Sequence, residues 1–321
     1  MRPVLVAAAL SLGAVAASAQ DYPARSIHVI VPYSAGGPTD TIARLTADAM
    51  SKHLGQQVVV ENVTGAGGTI GTRNVADAEP DGYTILVHHV GMSTAPSLYR
   101  QLPFNATEDF APIGLISDAA MTVVARTDFP AGSFAELAAH IKEQGMDVTY
   151  AHAGIGAASH LCGTLFMSTL GTKMTTVPYK GNGPILTDLI GKQVDLTCDQ
   201  ITNTVGPIND GQVKAYAITS PERSSHLPDL PTTAEEGLES FQVSVWHGAY
   251  APAGTPPEVV AKLSEALQAA MQDPTLIERF GQLATTPASP AQAMPEALHA
   301  KLDSEINRWK PIIEAAGEFA D

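Results

Sequence analysis

The sequence predicts an α/β protein of two similar lobes facing each other across a cleft. Three observations carry this. β-Branched, apolar segments alternate with amphipathic ones along the chain, the βαβ signature of parallel sheets covered by helices. One module, a strand ending in a glycine turn that opens a helix, occurs at residues 27–54 and again at 148–170. Two further β-rich stretches, near 121–125 and 243–251, stand where the chain would cross between lobes. The expected division is residues 20–122 with 250–321 in lobe 1 and 123–249 in lobe 2. Open α/β sheets take ligands at the carboxyl ends of their strands, and two facing lobes bring two such ends to one cleft.

The elements follow in order. The stretch IHVIVPYSAGGPTD gives a strand over 27–33, a turn through Gly36-Gly37, and a helix over 39–54 with Pro38 suited to its first turn. Val58-Val59-Val60 marks a strand over 57–61. A Gly-rich segment, 64–70, leads to a helix over 71–78, and Pro80-Asp81-Gly82 turns into a strand over 84–88. After an irregular stretch come strands at 111–117 and 121–125. A helix over 133–144 has Ser133 as cap and Glu136 at the capping-box position. Then come a strand (148–153), the turn GIGAAS, a helix (160–170), a strand (175–179), a helix (184–191), a strand (194–198), a short helix (205–210) and a strand (214–219). A strand over 243–249, an amphipathic helix over 256–273 and a helical tail over 295–316 complete the chain.

The N-terminus directs export. Arg2 precedes an apolar run from Val4 to Ala17, and Ala17-Ser18-Ala19 reads as a cleavage site, so residues 1–19 are expected to be a removed leader. The run falls short of the ~20 apolar residues that a spanning helix needs. A periplasmic location is expected. Net charge is −15 over the 321 residues. Without a basic cluster this excludes nucleic acid or an anionic membrane as partner. In an oxidising compartment Cys162 and Cys198 are either bridged or two buried thiols; sequence alone offers no separation to decide.

The first glycine turn suggests a main-chain cradle for a carboxylate, formed by Tyr33, Ser34, Ala35, Gly36, Gly37, Thr39 and Asp40. A strand that ends in glycines and feeds a helix leaves N–H groups unpaired beneath a helix dipole. Asp40 is expected to cap or brace the turn, not to touch the anion. No Lys and no GxxxxGK[ST] pattern points to a nucleoside triphosphate. The counterpart turn offers Gly156, Ala157, Ser159 and His160 for a second carboxylate. GxGxxxG at 65–71 lacks the later acidic residue that a dinucleotide ribose needs. His89 or His88 must face the cleft, because strand side chains alternate. Asp199, just past a strand, either accepts from a ligand hydroxyl or amine or caps the next segment. Trp246-His247 either walls the cleft or belongs to the core.

At this point the chain resembles the extracytoplasmic solute receptors of tripartite tricarboxylate transporters, the Bug family. The marks are Tyr22-Pro23, Pro32-Tyr33-x-x-Gly36-Gly37-x-x-Asp40, Glu61-Asn62-x-x-Gly65-Ala66-Gly67-Gly68 and Pro80-Asp81-Gly82-Tyr83-Thr84. Further along come Val177-Pro178-Tyr179-Lys180-Gly181, Leu227-Pro228-Asp229-x-Pro231-Thr232 and Ala251-Pro252-Ala253-Gly254-Thr255-Pro256. The resemblance implies a type II periplasmic binding-protein fold with two Rossmann-like lobes. It implies capture of a small carboxylate, expected here to be a dicarboxylate held by one carboxylate per lobe, and delivery by a monomer to membrane permease subunits. It implies main-chain and water contacts at residues 33–40, the second loop at 154–160, and a contribution from Asp199. His88-His89-Val90-Gly91 stands where many relatives carry Ser, Thr or Asn, which places ligand selection there.

No enzyme activity, cofactor or metal is expected. The rival reading is a secreted metal-dependent hydrolase using His88, His89, His152 and His160. Against it, the histidine spacing fits no HExxH or HxH pattern, and no GxSxG or papain-type Cys context is present.

Overall fold

The computed structural model describes residues 22–317 and 319–320. The expected leader, residues 1–19, lies outside the described residues. The chain opens with β1 (Ile27–Val31), α1 (Pro38–Leu54), β2 (Val58–Asn62), α2 (Thr69–Ala76) and β3 (Thr84–His89). β1 lies between β2 and β3, parallel to both. α1 starts on Pro38, whose missing N–H costs nothing there, and ends at Gly55 in the left-handed region, with its N–H on the Ser51 carbonyl.

Two elements next differ from expectation. α3 (Gly91–Leu98) forms despite Pro96, where the sequence suggested irregular chain. The two strands expected at 111–117 and 121–125 are one, β4 (Phe110–Ala125), sixteen residues long. Asp118 lies within the ladder, opposite Trp246.

The chain continues through α4 (Phe134–Gln144), β5 (Thr149–His152), α5 (Ala158–Leu170), β6 (Thr175–Pro178), α6 (Asn182–Ile190), β7 (Leu196–Gln200), α7 (Ile201–Asn209) and β8 (Lys214–Ile218). It ends with β9 (Ser244–Pro252), α8 (Pro257–Met271), α9 (Pro274–Gln282), β10 (Thr286–Pro287) and α10 (Pro295–Ala316). α9 was missed by the sequence reading, which stopped at Asp273. Asp273 in fact caps a new helix, accepting from the N–H groups of Thr275 and Leu276.

The strand order is β2-β1-β3-β9-β4-β7-β5-β6, with β8 and β10 also on β4. β4 divides the sheet. Residues 110–120 pair with β9, whereas 121–125 pair with β7 and β8. β9 hydrogen-bonds to β3 and to the first part of β4 from residue 244 onward. Its apolar sequence predicted a strand but not which sheet would receive it.

Trp246, Trp309, Tyr150 and Tyr250 are among the largest fully buried side chains. α10 packs on α3 and β4. The question left open by the two cysteines is resolved: Cys162 of α5 and Cys198 of β7 form a disulfide, with Cα atoms 6.1 Å apart.

Candidate ligand-binding cleft

Five strands of the two groups end at one place. β1 feeds the turn before α1, and β3 delivers His88 and His89 to α3. β5 feeds the glycine turn before α5, β6 the turn before α6, and β7 delivers Asp199 and Gln200 to α7. Between them is a narrow cavity. Tyr33, Gly37, Pro38, Thr39 and His89 line one side. Ala158, Asn182, Asp199 and Gln200 line the other, with Met121 at the point where β4 passes from one group to the next.

The starts of α1, α5, α6 and α7 all contribute to this lining, and none carries a side-chain cap. Their first N–H groups have no partner within the helix, and their dipoles add positive potential on one spot. By contrast, α4 and α9, which are capped by Ser133 and Asp273, begin elsewhere. Among the described residues, no Lys or Arg lines the cavity. Attraction for an anion rests on backbone dipoles and neutral donors.

The two sides touch along the rim. Ser34 N–H donates to the Lys180 carbonyl at 3.0 Å. The Tyr99 hydroxyl lies 2.9 Å from the Ala66 carbonyl and 2.8 Å from that of Ile155. Thr94 Oγ1 donates to the Gly156 carbonyl at 3.3 Å. Gly67, at φ 63°, sits so close that a Cβ there would stand 1.9 Å from the Ile155 carbonyl. This arrangement is closed.

The side chains at the cavity are held by buried polar partners. Thr39 Oγ1 lies 3.3 Å from His247 Nε2, and His247 Nδ1 lies 3.2 Å from Ser117 Oγ. His89 stacks on Tyr33, with ring centroids 4.4 Å apart and planes inclined by 19°. Gly91 N–H donates to His89 Nδ1 at 2.9 Å, which leaves the ring proton on Nε2. Burial, with His88 and His247 nearby, holds the His89 pKa well below its ordinary value. The imidazole is therefore neutral, with Nε2–H as its donor.

Asp199 is fully buried. Asn203 Nδ2 donates to Oδ2 at 2.5 Å and Gln200 N–H to Oδ1 at 2.7 Å, and Asn182 Nδ2 also donates to Oδ1. Burial outweighs these neutral donors and raises its pKa to about 6. Gln200 is 2 % exposed, and its Oε1 has no hydrogen-bond partner.

Of the residues that the sequence put at the site, Tyr33, Gly37, Thr39, His89 and Asp199 line the cavity. Ser34, Ala35 and Gly36 do not. Ala35 and Gly36 are exposed, and Gly36 N–H is taken by Asp40 Oδ2 at 3.0 Å. Asp40 is a brace: it also accepts from Arg44 and from Asn62 Nδ2, and these donors keep its pKa low despite burial. On the other side, Gly156 N–H faces His160 Nδ1 at 3.5 Å, and Ala157 N–H bonds the Gly154 carbonyl. Ser159 Oγ accepts from Ala153 N–H at 2.9 Å. The second turn thus spends these groups on its own shape, and the neighbouring Ala158 reaches the cavity instead. Sequence reasoning missed Ala158, Asn182, Gln200 and Met121. Gln200 was findable, because it ends a strand beside Asp199 and precedes a helix.

Among the described residues, no group of three or more His, Cys, Asp or Glu is placed to hold an ion. His88, His89 and His152 each accept a backbone N–H at Nδ1, from His89, Gly91 and Gly154. These nitrogens are committed to shaping strand ends.

Comparison with known proteins agrees with this geometry. Residues 42–318 match the family model described as "Tripartite tricarboxylate transporter family receptor". A protein from the TAR-I ttuE–ttuC' intergenic region of Agrobacterium vitis is 50% identical over 303 residues, covering 94% of this chain and 88% of that one. The solved structure of periplasmic binding protein BugD superposes with a TM-score of 0.92 at 50% identity, covering 94% of this chain and all of BugD. MatC from Rhodopseudomonas palustris with bound malate gives a TM-score of 0.89 at 39% identity, covering 91% of this chain and all of MatC. The fold is that of the periplasmic binding proteins.

Proposed function

The chain belongs to the tripartite tricarboxylate transporter receptor family, and from that premise we propose that it captures a small dicarboxylate in the cleft and delivers it to the membrane permease of such a transporter. Members of this family are solute-binding receptors, not enzymes. No described helix is long and apolar enough to cross a membrane. In this reading the receptor is an exported periplasmic monomer, with residues 1–19 as the cleaved leader.

The observation that carries the reading is the convergence of four uncapped helix starts, from both strand groups, on a cavity without Lys or Arg. One carboxylate is held by the start of α1, through the Thr39 N–H and hydroxyl and the Nε2–H of His89. The other is held by the starts of α5 and α6, near Ala158 and Asn182. The two strand groups act as lobes that part to admit the ligand and close over it. Malate in MatC is a ligand of this size class.

Calorimetry against matched mono- and dicarboxylates tests the proposal. Dicarboxylates are expected to bind at least tenfold tighter. Equal affinity for the matched monocarboxylate removes the two-anchor reading.

A further inference from the structure

The cavity is chemically lopsided. The side built on β1 and β3 offers donors: the first N–H groups of α1, and His89 Nε2–H, whose tautomer is set by Gly91. The side built on β7 presents a carboxylate and an amide. Asp199 is completely buried, and the three groups that bond it are neutral donors from Asn182, Gln200 and Asn203. Nothing in the lining balances its charge. Beside it, Gln200 Oε1 is buried without a partner. A receptor for anions has thus buried one carboxylate and one idle acceptor in its own binding site. Buried acceptors are normally satisfied; Asp199 has its donors but no countercharge, and Gln200 Oε1 has no donor at all, so a donor that arrives with the ligand would complete both.

We propose that Asp199 and Gln200 form an acceptor wall that selects carboxylates bearing an N–H or O–H donor on the carbon beside the carboxyl group, that is, amino or hydroxy acids over unsubstituted ones. The inference rests on the receptor reading and deepens it. A ligand ammonium or hydroxyl would bond Asp199 and the Gln200 amide oxygen while its carboxylates occupy the helix starts. An unsubstituted dicarboxylate would leave Gln200 Oε1 without a partner. It would also set its charge against Asp199 in a closed site, where repulsion is poorly screened. The raised pKa of Asp199 is consistent with a carboxylate kept short of cationic company. Sites built to bond a substrate hydroxyl or amine reject the analogue lacking it, because their own groups are then stranded.

The test is isothermal titration of the mature protein with succinate, malate and aspartate, four-carbon acids that differ only in the donor. Malate or aspartate is expected to bind at least tenfold tighter than succinate. Gln200→Met removes the amide at similar length, and Asp199→Asn replaces the carboxylate. In each, the preference should fall to threefold or less, with the loss falling on the donor-bearing acids. If Asp199→Asn unfolds because its amide faces those of Asn182 and Asn203, Gln200→Met alone decides. Succinate binding as tightly as both others, or a preference untouched by Gln200→Met, overturns the acceptor wall and leaves the receptor reading standing. A panel in which none of these or longer carboxylates binds overturns the receptor reading itself.

Discussion

Thr39 at the cavity and His247 behind it are joined by a 3.3 Å contact between Oγ1 and Nε2, and Ser117 completes the chain at 3.2 Å. His247 is fully buried, and its pKa is lowered to about 3 by burial, then by His88. It therefore stays neutral and can be donor at one nitrogen and acceptor at the other. Replacing it by Leu strands two buried hydroxyls. The expected cost is about 2–4 kcal/mol in chemical denaturation, since each unsatisfied buried group costs about 1–3 kcal/mol. Ligand affinity should fall as well, because Thr39 loses its fixed rotamer. Unchanged affinity would show that the Thr39 hydroxyl does not meet the ligand.

Two glycines separate turn shape from closure. Gly36 is exposed at φ 76°, with no atom within 4 Å of a prospective Cβ. Gly36→Ala should cost about 1 kcal/mol of backbone strain and leave affinity nearly unchanged. At Gly67, by contrast, a Cβ would collide with the Ile155 carbonyl across the rim. Gly67→Ala should weaken binding at least a hundredfold. Small-angle scattering should show a ligand-saturated particle that stays more extended than the wild type.

Acidification should destabilise the free protein. The pKa values of His88 and His160 are pushed down by burial to about 4, and that of His247 to about 3. A depressed histidine contributes stability above its unfolded value of about 6.5 that is lost as pH falls through the folded value. By linkage, each loses about 2 kcal/mol between pH 7 and 5. Asp199 acts oppositely: its raised pKa returns about 1 kcal/mol over the same interval. The histidines outnumber it, so melting temperature should fall steadily below pH 6. Asp199→Asn should steepen that fall.

The bridge between Cys162 and Cys198 joins α5 to β7, which both reach the cavity, and closes a sequence separation of 36. Reduction, or a double change to Ala, should cost about 4 kcal/mol by loop-closure entropy. The urea midpoint with and without reductant measures this.

Much of the architecture was legible in the sequence, because hydrophobic periodicity and glycine placement are local signals. The β1–α1 and β5–α5 modules stand where alternation put them. β4 read as two strands, and only its pairing with β9 shows one ladder running on through residues 118–120. The site was less legible. Gly36 looked like the anion contact because glycines leave backbone bare, yet Asp40 reaches back four residues and takes that N–H. Thr39, one helical position further on, lines the cavity. Gln200 and Asn182 matter only because distant strands end together, which no local pattern encodes.

β4 is common property of both strand groups, along residues 110–120 for one and 121–125 for the other. Severing the chain there would deprive each half of an interior ladder, so neither is expected to survive excision as an independent folding unit. Scanning calorimetry should accordingly record a single cooperative endotherm, with calorimetric and van't Hoff enthalpies in agreement.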